Sequence, residues 1–442
     1  MNLKFILFAG ALAAASQVNA QTPAWIHDTI STDAGYLKNV YYSLENGQAA
    51  KVAADNWHVG LSVGRFSASI IVNTADKAVK LFEISSNTAD FGTNLTSALN
   101  AAITANPMPL YNSNITWEHG AFNSGTSTGS FGYGWGNYDM ATHWIFGSRV
   151  FGLITATDTF QIYIQEKQTT PVATAPTYIF KIADIDGSNA KTKTEVVGGG
   201  VSANANFHYY NIDTDAFLNR EPARTAWDFV FTNYNDENVI FGNQQYKVFG
   251  VVNNEGLDVA KVDTADAEFD NIAANYNSYT YDTANNSIGR AWKSSGPSGV
   301  VMTDSLCYFV KTQTGDIWQM VFTAHNSGTA STDPGLVALK KRKVYANTTS
   351  VKTINSSVAT FGIYPNPASG NVNVVVDAKE KVGKAHIMIT DITGKLVYRN
   401  EIAVNNGLNA YSVSTSNLVN GNYIVTLTNG NWKATEKLVV QH

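Results

Sequence analysis

Cys307-Tyr-Phe-Val-Lys311, Thr312-Gln-Thr-Gly-Asp316 and Ile317-Trp-Gln-Met-Val-Phe-Thr323 follow one another without interruption. Two apolar, strand-like runs flank five turn-forming residues, which is the signal of a β-hairpin. Phe160-Gln-Ile-Tyr-Ile-Gln165 alternates apolar and polar side chains, the period of a half-buried strand. The same grammar runs through the chain. Its 21 Tyr, 21 Phe and 9 Trp, with many Thr, Asn, Ser and Gly, favour strands and tight loops over helices. The predicted fold class is all-β: a β-rich body followed by a small antiparallel β-sandwich. One exception is Leu95–Ala105, where Leu95, Leu99 and Ile103 recur four apart, predicting a short helix ended by Asn106-Pro107.

A chain of 442 residues exceeds one ordinary domain. Charged residues are 15% of it and the net charge is −5. A nucleic-acid partner is not expected, because phosphate neutralisation needs a basic face. The compact basic run Lys340-Lys-Arg-Lys343 reads as a solvated strand end. The single cysteine, Cys307, forbids an intramolecular disulfide and a Cys-based zinc site. Its apolar neighbours make it a small core residue.

The N-terminus has the plan of a signal peptide, residues 1–20. Lys4 supplies the positive charge, Phe5–Ala15 the apolar stretch, and Val18-Asn-Ala20 the small residues before cleavage at Gln21. The apolar stretch is too short for a hydrocarbon core of ~30 Å. No transmembrane segment is expected further on.

After the body, 21–345, residues 346–360 are small, polar and aperiodic, a linker. Residues 361–442 then give seven short strands separated by turn residues, a small sandwich. Tyr364-Pro-Asn-Pro-Ala-Ser-Gly370, Ile389-Thr-Asp-Ile-Thr-Gly-Lys395, Gly421-Asn-Tyr-Ile-Val425 and Lys437-Leu-Val-Val-Gln441 resemble, in order, the type IX secretion C-terminal sorting domain. Pro365, Asn366, Pro367, Gly394, Gly421 and Lys437 carry that resemblance. It implies the type IX secretion machinery as partner, passage across the outer membrane, and a secreted or cell-surface location on a diderm bacterium.

The body contains an echo. Asn39-Val-Tyr-Tyr-Ser43 precedes Trp57-His-Val59 as Phe207-His-Tyr-Tyr-Asn211 precedes Trp227-Asp-Phe229. Each reads as a strand, a loop and a strand led by a large Trp anchor. The echo is either a duplication, with halves 21–200 and 201–345, or two similar hairpins. Tyr209-Tyr210, Trp227-Asp-Phe-Val-Phe231 and the Asp304–Phe322 hairpin also resemble the HmuY-like haemophores. That resemblance implies haem held by axial His or Met, although no axial pair transfers by position.

Haem ligation needs imidazole or thioether over an aromatic pocket. His119, Met140 and His143 bracket a Gly/Ser/aromatic loop, 119–139, and are the candidate haem ligands. The same aromatics could instead stack sugar rings, making the body a glycan-binding or adhesive protein without a cofactor. No catalytic motif is convincing, so no enzyme activity is expected. Gly60-Leu-Ser-Val-Gly64 and Gly125-Thr-Ser-Thr-Gly129 match G-x-S-x-G but lack a strand–turn–helix context. Asp184-Ile-Asp-Gly187 reads as a β-turn rather than a calcium loop, and no metal site is expected.

Overall fold

A computed structural model describes residues 23–76, 78–127, 131–169, 175–199, 204–242, 244–264, 269–296, 299–326, 335–347, 359–378, 383–391, 395–429 and 433–442. The signal-peptide reading, most of the linker and Gly394 fall outside these. The chain forms two compact units, Met1–Ala346 and Asn347–His442.

The first unit is built from four principal sheets. One outer sheet orders strands Ile26–Ser31, Leu336–Tyr345, Ile317–His325, Leu306–Lys311 and Asp258–Asp263. The predicted hairpin is its centre, with Val310 opposite Trp318. A central sheet orders Gln244–Asn253, Phe229–Phe241, Lys38–Ser43 and Gly47–Ala53. A second central sheet orders Ala216–Leu218, Phe207–Asn211, Val59–Ser62 and Ile70–Val72. The other outer sheet orders Lys191–Val196, Thr177–Asp184, Thr159–Gln168, Ile145–Gly147 and Gly136–Tyr138, with Val150–Ile154 and Lys80–Ser85 joined to it.

Each central sheet closes one core against one outer sheet. The first core gathers Leu61, Val72, Phe122, Trp135, Phe151 and Tyr178. The second gathers Val40, Tyr42, Phe231, Trp292, Tyr308 and Phe322. Outer strands alternate in burial, as Thr177–Asp184 does. Val59–Ser62 and Ile70–Val72 are buried at every residue, because both faces of their sheet are covered. The predicted helix is Thr96–Ala105, closed at Asn106 before Pro107.

The echo segments pair crosswise. Tyr42 lies opposite Phe229, two residues after Trp227, and Tyr210 lies opposite Val59, two residues after Trp57. The contacts match in kind. Trp57 meets Tyr209 edge-on at 4.9 Å, and Trp227 meets Tyr41 edge-on at 5.0 Å. His58 Nδ1 accepts the Ile212 N–H at 3.1 Å, as Asp228 Oδ2 accepts the Leu44 N–H at 2.6 Å. Asn73 and Asn254 each donate their side-chain amide to the carbonyl of the local Trp, at 3.1 and 2.8 Å. Farther on, Thr155 N–H reaches Asp158 O and Thr312 N–H reaches Asp316 O, both at 2.9 Å. The correspondence thus extends beyond the two hairpins themselves. A cut at 200/201 does not separate the cores, however. Residues 26–53 serve the second core, and 207–218 serve the first.

The basic run corrects the sequence reading. Leu336–Tyr345 is an interior strand of its sheet, and Lys341 and Arg342 are only 3% and 2% exposed. Lys341 Nζ lies 4.6 Å over Tyr42 and 3.6 Å from Asp28. Arg342 stacks 4.0 Å from Trp25 and bonds Asp270 at 2.6 Å. Lys343 pairs with Asp316 at 3.0 Å. Buried cations need such partners, and the alternation of one strand hides that they exist.

In the second unit, sheets Ala359–Tyr364, Asn371–Ala378, Gly407–Ser414 and Leu396–Val404, Gly383–Asp391, Gly421–Thr428, Lys433–Val440 enclose one core. These are the seven strands expected. Pro365 and Pro367 leave the first sheet, and the Asn366 amide between them pins the last strand. It donates to Lys437 O at 2.6 Å and accepts from Val439 N–H at 2.8 Å.

Trp57→Ala and Trp227→Ala each remove an anchor between the exchanged strands. Each is expected to cost about 3–5 kcal/mol of stability, measured as a lowered urea midpoint of the whole chain. A loss below 1 kcal/mol for both would contradict the anchoring role.

Candidate functional site

In each central sheet, alternate side chains face away from the closed core. From one come Tyr41, Val230 and Val252, and from the other Trp57, Ile71 and Tyr209. Trp117, on the segment after the helix, packs against both groups. Its indole N–H donates to Asn253 O at 2.8 Å. Between these faces lies a cavity of about 400 Å³, inside the ~300–1,000 Å³ range of small-ligand sites.

Its wall combines aromatic faces with amides. Tyr36, Tyr41, Trp57, Trp117, Tyr209 and Tyr234 supply the rings. Asn73 and Asn112 are spent on the backbone: Asn112 accepts from Val72 N–H at 3.0 Å and donates to Val72 O at 2.6 Å, imitating a strand edge. Asn114 and Asn235, also in the wall, are 5% and 7% exposed, and the Asn114 amide and Asn235 Oδ1 have no partner among the described residues. Buried amides are ordinarily satisfied, so these two mark the wall as unusual.

Two cations line the same wall, the half-buried Lys247 and the fully buried Arg220. Arg220 packs its guanidinium 5.0 Å from the Trp57 ring and 4.9 Å from the Tyr209 ring. Its Nη2 donates to Ala53 O at 2.9 Å. Beside it, Glu221 accepts from Asn206 N–H at 2.9 Å, Phe207 N–H at 3.2 Å and Tyr209 Oη at 3.1 Å. Burial outweighs those bonds and lifts the Glu221 carboxyl to about 7. Burial likewise pushes Tyr41 up to about 12 and Tyr209 well above its ordinary value.

The predicted haem ligands lie elsewhere. His119, Met140 and His143 are exposed, and none lines the cavity. His119 Nε2 is 3.3 Å from Ser124 Oγ. His143 Nδ1 is 2.7 Å from Tyr138 Oη, in a turn where Met140 is 68% exposed. The aromatic loop is divided in role. Phe122 and Trp135 are core anchors, the latter donating to Ala68 O at 2.9 Å, whereas Phe131 and Tyr133 face solvent.

The Gly125–Gly129 motif falls partly outside the described residues, and the other two dismissed motifs find ordinary uses. Ser62 sits mid-wall of the first core, 2.9 Å from Tyr178 Oη, donating to Ser67 O at 3.1 Å. Lys167 is buried beside it and donates to Gly64 O at 2.7 Å, with its amine lowered by burial to about 7. The strand Ile70–Val72 follows, not a helix. Asp184 receives Ser188 and Asn189 from its own turn, at 3.2 and 2.6 Å. Among the described residues no group of three or more His, Cys, Asp or Glu gathers for a metal. No helix among them is long and apolar enough to cross a membrane.

Sequence reasoning missed the cavity. The echo was its available signal, since Tyr41, Trp57 and Tyr209 belong to it.

Residues 362–441 match the family described as "Secretion system C-terminal sorting domain". The end of the chain is therefore a type IX sorting domain, and the protein is secreted or held at the cell surface of a diderm bacterium. No curated protein matches this chain. Among solved structures, "Crystal structure of dimeric latent PorU from Porphyromonas gingivalis" matches at 12% identity and a TM-score of 0.17, over 59% of this chain and 26% of that one. The chain thus spans about a quarter of that structure's length, and the likeness carries no argument. Neither comparison supports the haemophore resemblance of the body.

The raised Glu221 pKa has a signed consequence. Its folded value of about 7 lies above the ordinary 4.5, so its stabilisation is complete below 4.5 and is lost as pH rises through 7. Glu221→Gln is expected to remove this share of the decline in melting temperature between those pH values. Asp228, raised by burial to about 6, leaves a residual decline of the same sign. Identical melting-temperature profiles for the two chains would contradict the assignment.

Proposed function

We propose that this chain, exported through its sorting domain, is a surface or secreted binding protein whose body takes a saccharide in the cavity between the central sheets. One observation carries the reading: aromatic faces and unspent amides line the same cavity. A pyranose ring presents an apolar C–H face and a rim of hydroxyls. Aromatic rings cover the first and amides pair with the second. The described lining residues include no His, Cys or Met, so the His or Met pair of the haemophore resemblance finds no ligands in this wall. The proposal is one of binding, without a catalytic step.

Isothermal titration of the purified chain with an array of neutral and acidic oligosaccharides tests it. Trp117→Ala is expected to weaken the best ligand about tenfold, the scale of one aromatic–ring contact. Ala75→Trp, which fills the cavity, is expected to abolish binding. Binding untouched by both variants, or no binding at all, would sink the reading and leave an adhesive role.

A second reading places haem on the exposed turn. Its support is the Tyr138–His143 bond beside exposed Met140, Phe131 and Phe146. A haemin titration with a saturable Soret shift at one haem per chain, lost in His143→Ala, would favour it. A nonsaturable response would remove it.

A further inference from the structure

The two repeats place different residues at one equivalent point of the cavity wall. Tyr41 lies opposite Ala50, and Tyr209 lies opposite Leu218. Two residues on come Val52 and Arg220. Val52 packs against the Tyr41–Trp227 pair, and Arg220 stacks on the equivalent Trp57–Tyr209 pair. An aliphatic residue is enough to cover such a pair, so packing does not require the charge.

Arg220 is 4% exposed, yet among the described residues it makes no ion pair and its Nε has no partner, its one hydrogen bond running to a backbone carbonyl. Buried guanidinium groups are otherwise paired. Glu221 adjoins it in sequence and attracts it through space, but the Glu221 oxygens are engaged by two backbone N–H groups and Tyr209 rather than by the guanidinium. Asp55 and Asp76 also line the cavity. Asp55 is exposed to water, and Asp76 Oδ1 accepts from Ala78 N–H at 3.0 Å. Solvent screens the exposed charge, while burial strengthens the field of Arg220. The aromatic faces hold the guanidinium plane in place, and that plane suits a carboxylate.

We infer that the cavity selects acidic sugars, with the ring carboxylate as the counter-charge of Arg220. The inference rests on the saccharide reading and adds the class of sugar.

The test needs no mutation at first. The purified full chain is titrated calorimetrically with oligogalacturonate and sialyllactose, and with the methyl ester of each, which keeps the rings and removes the charge. At least one acid is expected to bind tenfold or more tighter than its ester, with the gap narrowing at high salt. Arg220→Met keeps an apolar stem over Trp57 and Tyr209 and should erase the gap, while Arg220→Lys should retain part of it. A melting curve confirms that each variant is folded. Equal binding of acids and esters, both abolished by Ala75→Trp, would overturn the acidic preference and leave the saccharide reading standing. Binding of neutral oligosaccharides alone would do the same. Binding of no sugar would overturn both.

Discussion

Two tyrosine strands change places in this protein, and the rest of the body depends on that exchange. Lys38–Ser43 completes the sheet led by Trp227, and Phe207–Asn211 completes the sheet led by Trp57. Neither repeat owns all the strands of its core. Each Trp is locked edge-on against a Tyr delivered by the other repeat. The polar groups obey the same constraint. Leu44 and Ile212, just past the exchanged strands, satisfy their N–H groups on Asp228 and His58. A buried N–H left unpaired costs about 1–3 kcal/mol, so these two side chains fix the depth to which each strand enters.

The exchange also creates the cavity. A sheet packed on one face usually gives its other face to water. Here the outward faces of both central sheets carry large rings, and Trp117 packs against both. Aromatic residues bury large areas and meet in offset or edge-to-face contacts. The space left is bounded by rings, by amides held on the backbone, and by one guanidinium. The two matched hairpins give the wall its symmetry. Arg220, where the other hairpin has Val52, breaks that symmetry, and the proposed selectivity for charge rests on it.

The sorting domain is built on a simpler rule. Val372, Val374 and Val376 are fully buried, alternating with residues that are more exposed. Asn366 ties the prolines after the first strand to the last strand by two backbone bonds. The motif is conspicuous in sequence because each of its residues has a local job.

The sequence alone determined the period-2 alternation of the outer strands, the Thr312–Asp316 turn, the helix stop at Asn106-Pro107 and the sorting domain. Each is a property of neighbouring residues: side-chain direction in a strand, turn chemistry, or a missing proline N–H. It also supplied the echo, but not its meaning, because crosswise and local pairing of the two hairpins give the same apolar pattern. Tertiary structure decided that the strands exchange, that Lys341 and Arg342 are buried among aromatics and acids, and that His119, Met140 and His143 stay on the surface. It alone joined Trp57, Trp117, Tyr209 and Arg220 around one cavity. Those residues are up to 163 positions apart, counting from Trp57 to Arg220. What unites them is the outward face of two buried sheets, and no local period records which second sheet will cover a face.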